Sequence, residues 1–230
     1  MILEVIATTL SDAIQAEEVG ADRIELVTGI AEGGLTPSYA LIESVCTATT
    51  IPVNVMIRPH STSFCYDSYD MRTIIKDIQI CKQLGANGIV FGALTAEGKI
   101  DEISLQQVLE EAGQLDVTFH RAFDTAADQE EALEILMKYK QISRVLTSGG
   151  KQAAPDATIE LQALVEKSRD SHIEILAGSG LTLINTDSFL SKVNVKELHF
   201  GSGVRKHSSF TNPIDQKKVK SIKKIMMYHT

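Results

Sequence analysis

The sequence predicts a single-domain α/β protein, a closed TIM-type (β/α)8 barrel, and three observations carry that expectation. Eight short apolar segments alternate with eight segments of helical pattern. Strand starts recur at roughly 20 to 35 residues, close to the spacing of about 30 that such a barrel needs. The first strand runs into Ala7-Thr8-Thr9, without the GxGxxG turn that an open dinucleotide-binding sheet would place there. A chain of 230 residues, 43% hydrophobic, buries one substantial core, so residues 1–230 are read as one domain.

Each element has a local reason. Residues 2–6 form an apolar strand carrying Glu4, and Ser11 caps a helix through Ala13, Ile14, Ala16 and Val19 to Gly20. Residues 23–27 are the second strand. A glycine-rich loop over 29–35 leads to Thr36-Pro37, with threonine at the N-cap and proline at the first helical position of a helix ending near Cys46. Strand 53–57, helix 68–84, strand 88–91, a helix over about 103–112 and strand 117–120 follow. Asp128 caps a helix through Leu133, Leu136 and Met137; strand 144–147, helix 159–167, strand 173–176, a short helix near 183–190 and strand 197–200 come next. Asn212-Pro213 opens the last outer helix, about 213–227, where Val219, Ile222, Ile225 and Met226 recur at helical spacing under a lysine face.

Net charge is -8 with a pI near 5.3, so no global field draws in nucleic acid or an anionic membrane. The apolar runs are too short to span a bilayer and the N-terminus lacks a secretory pattern, which predicts a cytoplasmic protein. Cys46, Cys65 and Cys81 form no CxxC pair and suggest neither a disulfide framework nor a zinc knuckle.

The segment Thr118-Phe119-His120-Arg121-Ala122-Phe123-Asp124 brings three ionisable groups together at a strand end, which is costly unless they face a polar cavity or one another. In a barrel the active face lies at the C-terminal strand ends, where Arg58, His120, Ser148, Gly178 and Gly201 are expected, with Arg121 and Asp124 just above. Asp124 is expected to orient the His120 ring, and His120 with Glu25 to move protons. Arg58 and Arg121 would steady negative charge on a substrate oxygen. Arg23, Arg144, Glu174 and Glu197 come early in their strands and are read as a buried ion-pair layer at the closed end; Glu4 falls between the two sets.

Three glycine turns, Ser148-Gly149-Gly150, Gly178-Ser179-Gly180 and Gly201-Ser202-Gly203 with Arg205, are expected to present backbone amides to an anion. One reading is an enzyme for a small phosphorylated or carboxylated metabolite, isomerase- or lyase-like. Another is a divalent metal held by Glu25, His120 and His199, a set better suited to zinc or manganese than to Cu(I).

Several longer motifs resemble the CutC family. They are Glu25-Leu26 with Gly33-Gly34-Leu35-Thr36-Pro37-Ser38, Pro52-Val53 with Val55-Met56-Ile57-Arg58-Pro59, residues 118–124, and Leu146-Thr147-Ser148-Gly149-Gly150. The resemblance implies a TIM-like barrel, a cytoplasmic homo-oligomer (dimer or tetramer) and a role in copper homeostasis, with a copper ion, Cu(I), as ligand. Cys65, in a loop, is the one accessible cysteine expected for that metal. The chain departs from the family at Ile6 and Val27, where members often carry cysteine, and at His60-Ser61-Thr62-Ser63-Phe64, commonly Arg-x-Gly-Asp-Phe. Cu(I) favours clustered sulfur ligands, and here the cysteines are scattered and Met226-Met227 is the only methionine pair.

Overall fold

The computed structural model describes residues 1–229. Eight parallel strands pair in chain order and close: β1 (Ile2–Ala7), β2 (Arg23–Leu26), β3 (Val53–Met56), β4 (Gly88–Phe91), β5 (Asp116–Phe119), β6 (Ile142–Thr147), β7 (Glu174–Ala177) and β8 (Glu197–Phe200), with β8 returning to β1. Eight helices form the outer ring: α1 (Leu10–Glu18), α2 (Tyr39–Ala48), α3 (Ser68–Gln83), α4 (Glu102–Ala112), α5 (Gln129–Leu136), α6 (Thr158–Ser168), α7 (Thr186–Leu190) and α8 (Gln216–Tyr228). The predicted barrel is the observed one. Among the described residues no helix is long and apolar enough to cross a membrane.

Strand periodicity sorts the core from the lumen. Leu3, Val5 and Ala7 of β1, Ile24 and Leu26 of β2, and Val53 and Val55 of β3 join the layer beneath the helices. The alternate positions, Glu4, Ile6, Arg23, Glu25, Asn54 and Met56, turn inward. Thus a residue type that would be stranded among helices has the lumen to occupy.

Several helix starts differ from expectation. Thr9, not Ser11, caps α1, accepting from the Asp12 amide at 3.1 Å. Ser38 caps α2, because Thr36 is already bound to the end of β3: its amide donates to the Arg58 carbonyl, and its hydroxyl accepts from the Arg58 amide at 2.9 Å. Asp215 caps α8, so this helix starts past Pro213, whose neighbour Ile214 instead bridges to Arg205. Asp67, Asp101 and Asp128 cap α3, α4 and α5, each such bond contributing about 1 kcal/mol.

The closed end of the lumen holds a continuous ion-pair chain. Asp116 bonds Arg144, whose Nε donates to Glu197 at 3.1 Å; Glu197 accepts from Arg23, and Arg23 Nε donates to Glu4. Glu174 is not a member, contrary to expectation. It is the first residue of β7, at the rim, where its carboxylate reaches water and pairs with Lys196 at 2.6 Å. Asp116 takes the place that was expected of it.

Candidate functional site

At the C-terminal ends of the strands lies a cavity of about 490 Å³. Glu25, Arg58, His120 and His199 form its polar floor and wall, and Ile6, Val27, Met56, Phe64, Leu146 and Phe210 its apolar sides. A larger groove, about 1050 Å³, runs along the outside of α3, away from the strand ends. The smaller cavity carries the chemistry because buried polar atoms point into it unsatisfied.

His120 follows β5 directly and is 3% exposed. Its Nδ1 accepts from the Ala122 amide at 3.2 Å, which puts the ring proton on Nε2, and Nε2 has no partner. Burial first, and the Arg58 guanidinium second, push the imidazole down to about 3. His120 is therefore neutral, with an unpartnered N–H on a residue that lines the cavity. A side chain on Gly92 would collide with its Nδ1, so the ring's position depends on the glycine that follows β4. Phe64, from the β3–α3 loop, covers both His120 (ring centroids 5.1 Å apart) and Arg58 (4.7 Å).

Glu25 is 2% exposed, and its Oε1 has no partner. Burial raises its pKa, the nearby His199 opposes this and Glu4 adds to it, leaving the carboxyl at about 7. His199 Nδ1 lies 2.7 Å from Glu4 Oε1, and its Nε2 3.8 Å from Glu25 Oε2. Burial disfavours a charged ring there, but Glu25 and Glu4 together outweigh it and hold the pKa above its ordinary value. Glu4 moves the other way: burial opposes ionisation, yet Arg23 and His199 hold it well below the usual carboxylate range. Arg58 donates to the carbonyls of Glu32 at 3.0 Å and Gly34 at 3.3 Å, leaving its buried Nε free.

Other expected site residues do different work. Asp124 does not orient His120. Its carboxylate accepts from the Ser148 amide (3.0 Å), the Gly150 amide (3.3 Å), the Ser148 hydroxyl and Arg121 Nε (2.7 Å). The first glycine turn, Ser148-Gly149-Gly150, thus already holds an anion, the protein's own. Arg121 sits at the rim, tied to Asp124.

Arg205 is not an anion seat either. It is 1% exposed, bound through both terminal nitrogens to Asp12 (3.0 and 2.8 Å) and stacked on Phe210. Gly178 lets Leu146 and His199 approach the backbone. Ser179, Gly180, Gly201, Ser202 and Gly203 do line the cavity.

The metal reading changes membership. Glu4, Glu25 and His199 offer ligand atoms within 4.8 Å of one another, and His120 is not in that group. Both Glu4 oxygens are already engaged, by Arg23 and by His199 Nδ1, which leaves an ion only Glu25 and His199 Nε2. Two ligands are too few for a built site.

Cu(I) fits no better. Ile6 and Val27, where the resemblance put thiols, pack with Met56 and Val90 as an apolar patch on the cavity wall. Cys65 is exposed in the β3–α3 loop and absent from the cavity lining. Cys46 and Cys81 lie on α2 and α3, their thiols raised by burial, Cys81 to about 12.

Sequence reasoning missed the Glu4–His199 contact, Gly92 and the Phe64 cover. Strand parity was the available signal for Glu4, since it faces inward in register with His199 and Arg23.

The CutC family model matches residues 1–204. The chain belongs to the CutC family. A CutC family protein of Bacteroides thetaiotaomicron is 40% identical over 200 residues, covering 86% of this chain and 80% of that protein. A solved structure described as the putative copper homeostasis protein CutC from Streptococcus agalactiae superposes with a TM-score of 0.81 at 30% identity, covering 87% of this chain and 98% of that one. Phosphoribosyl anthranilate isomerase from Thermotoga maritima, at 14% identity and TM-score 0.66 over 99% of this chain and all of that one, shares the fold.

Proposed function

We propose that this CutC family member is an enzyme that moves a proton within a small anionic carbonyl compound, in an isomerase- or lyase-like step. One observation carries the reading: Glu25 and His120 line the same cavity, and each keeps a buried polar atom, Oε1 and Nε2, without a partner. Their environments push them apart in the way an acid–base pair requires, a carboxyl near neutrality and an imidazole that stays uncharged.

Glu25 takes a proton from the carbon beside the carbonyl, and the C–H electron pair becomes the carbon–carbon double bond. The carbonyl oxygen gains the negative charge and is met by the His120 N–H, with the Arg58 guanidinium close by. Where the deprotonated carbon carries a hydroxyl, passage of the hydroxyl proton to the oxyanion and return of the carbon-bound proton to the former carbonyl carbon complete an isomerisation. Where the next carbon carries a leaving group, re-formation of the carbonyl expels that group with its bonding pair and completes an elimination. The turns after β7 and β8, Ser179-Gly180 and Ser202-Gly203, face the cavity and are the seat we assign to the substrate's phosphate or carboxylate. Arg121 lines the rim with its charge shared with Asp124.

A copper-homeostasis role comes from the description of the Streptococcus agalactiae relative. In this chain it would not run through a thiolate site, since the wall positions are Ile6 and Val27 and the cysteines lie elsewhere.

The test is a thermal-shift screen of small phosphorylated and carboxylated hydroxycarbonyl compounds, followed by NMR of stabilising hits in deuterated buffer. Deuterium should enter at the carbon beside the carbonyl. Glu25→Gln should slow that exchange by about 10²-fold or more while hits still raise the melting temperature. Exchange of undiminished rate in Glu25→Gln would overturn the proposal.

A further inference from the structure

A buried carboxylate makes a poor base unless something compensates its charge, and the lumen is built so that one group does. The ion-pair chain below Glu25 contains three carboxylates, Glu4, Glu197 and Asp116, and two guanidiniums, Arg23 and Arg144, a net charge of -1. A protonated His199 brings that assembly to neutrality. Glu25 then stands above a neutral assembly, so its own ionisation adds a charge, and its nearest cation is His199, at 3.8 Å.

We infer that His199, clamped by Glu4, is a positioning residue that supplies Glu25 with its counter-charge and fixes which carboxylate oxygen faces the substrate. The inference rests on the reading of Glu25 as the base. Geometry divides the two oxygens: Oε2 is turned to His199 Nε2, and Oε1 is left without a partner in a residue that lines the cavity. The ring cannot swing to an alternative, because Nδ1 faces a carboxylate whose other oxygen is held by Arg23 Nε. Nδ1 therefore keeps its proton, as in any carboxylate-oriented histidine. Gly178 keeps the space against which the ring packs: a Cβ there would lie 3.1 Å from its Cδ2.

The groups that set the charge of this pair come from every neighbouring strand. Glu25 meets His199 from β8, Glu4 from β1 and Arg23 from its own strand, and neutral Asn54 stands beside it on β3. Arg58 and the uncharged His120 line the same cavity. Of these, His199 is the one imidazole whose positive form is favoured above its ordinary value, by the carboxylates of Glu25 and Glu4. A raised His199 and a raised Glu25 are what a pair sharing protons at the edge of a low-dielectric cavity should show.

The experiment needs no substrate. In full-length protein labelled with 15N-histidine and 13C-glutamate, with resonances assigned by His199→Asn and Glu25→Gln, His199 should be doubly protonated at pH 7. The Glu25 midpoint should lie near neutrality. His199→Asn keeps a donor toward Glu4 and removes the charge, and should raise the Glu25 midpoint by about one pH unit or more. Glu4→Gln should lower the His199 midpoint and raise that of Glu25.

A neutral His199 in the wild-type protein at pH 7, or an unmoved Glu25 midpoint in folded His199→Asn, would overturn the inference. If His199→Asn does not fold, His199→Gln carries the assignment and the same test. If the coupling is present but Glu25→Gln leaves exchange intact, the functional reading falls while the charge coupling stands.

Discussion

At the closed end of the lumen Asp116, Arg144, Glu197, Arg23 and Glu4 pass one chain of hydrogen bonds, and among the described residues no buried charged atom of theirs lacks a partner. At the mouth, a few residues further along the same strands, Glu25 Oε1, Arg58 Nε and His120 Nε2 are buried with none. Sheet, strand periodicity and residue types are shared; satisfaction of the charged groups is not, although the neutral Asn54 beside Asp116 also keeps a buried Oδ1 without a partner. Each unsatisfied buried group costs about 1–3 kcal/mol, a cost that a bound ligand removes. The closed end is thus organised for the fold, and the mouth for something the fold does not contain.

The comparison is easiest to break at Arg23, where the largest effect is expected. Arg23→Met leaves Glu4 and Glu197 facing each other across an apolar side chain, and removing one partner of a buried pair costs about 3–5 kcal/mol. Urea unfolding should show that loss as a lower midpoint. A cost under about 1 kcal/mol would mean the layer is wetter than its burial implies, and the contrast with the mouth would fail.

A smaller effect, about 2 kcal/mol, is expected from pH. The folded-state pKa of His120 is about 3, below the unfolded value near 6.5, so between these the unfolded chain binds a proton that the folded one refuses. Stability contributed by the neutral ring is full above pH 6.5 and is lost as pH falls toward 3, by about 2 kcal/mol at pH 5. His120→Asn should flatten that part of the curve. Glu25 has the opposite sign, its raised pKa favouring the folded state as pH falls from about 7 toward 4.5, so the two variants must bend the profile in opposite directions.

Much of this lumen is legible in the sequence. Strand periodicity and spacing gave the barrel, and a barrel obliges Arg23, Glu25, Arg144 and Glu197 to turn inward because helices cover the other face. What parity cannot supply is height and competition. Glu174 has the inward parity, but at the strand's first position it escapes to Lys196. Asp124 is near His120 in sequence, yet its carboxylate accepts from the amides of Ser148 and Gly150 instead, and the His120 Nδ1 accepts from Ala122. Arg205 follows a glycine turn and looks like an anion ligand; Asp12, 193 residues away in sequence, claims it. In each case a residue type was read correctly and its partner was long-range, which composition and spacing do not encode. The CutC resemblance carried the family, and the substitution of Ile6 and Val27 already spoke against thiolate copper, as the apolar patch on the cavity wall now does.

The smallest expected effect sharpens the comparison most. Glu25→Gln removes a buried charge whose Oε1 has no donor, and substitutes an amide of the same shape. Above pH 7 the wild-type carboxyl must ionise inside the lumen, whereas in the unfolded chain it ionises freely. The variant should therefore be the more stable protein at pH 8, by on the order of 1 kcal/mol, the attraction to His199 being already part of the balance that leaves the carboxyl near 7. The gain should fade as pH falls below 7, where wild-type Glu25 takes up its proton and becomes as neutral as glutamine. Denaturation midpoints at pH 8 and pH 5.5 measure it. A Glu25→Gln protein destabilised as much as Arg23→Met would show that Glu25 belongs to the paired layer, and that the boundary between the structural and the reactive ends of the lumen lies higher, at His120.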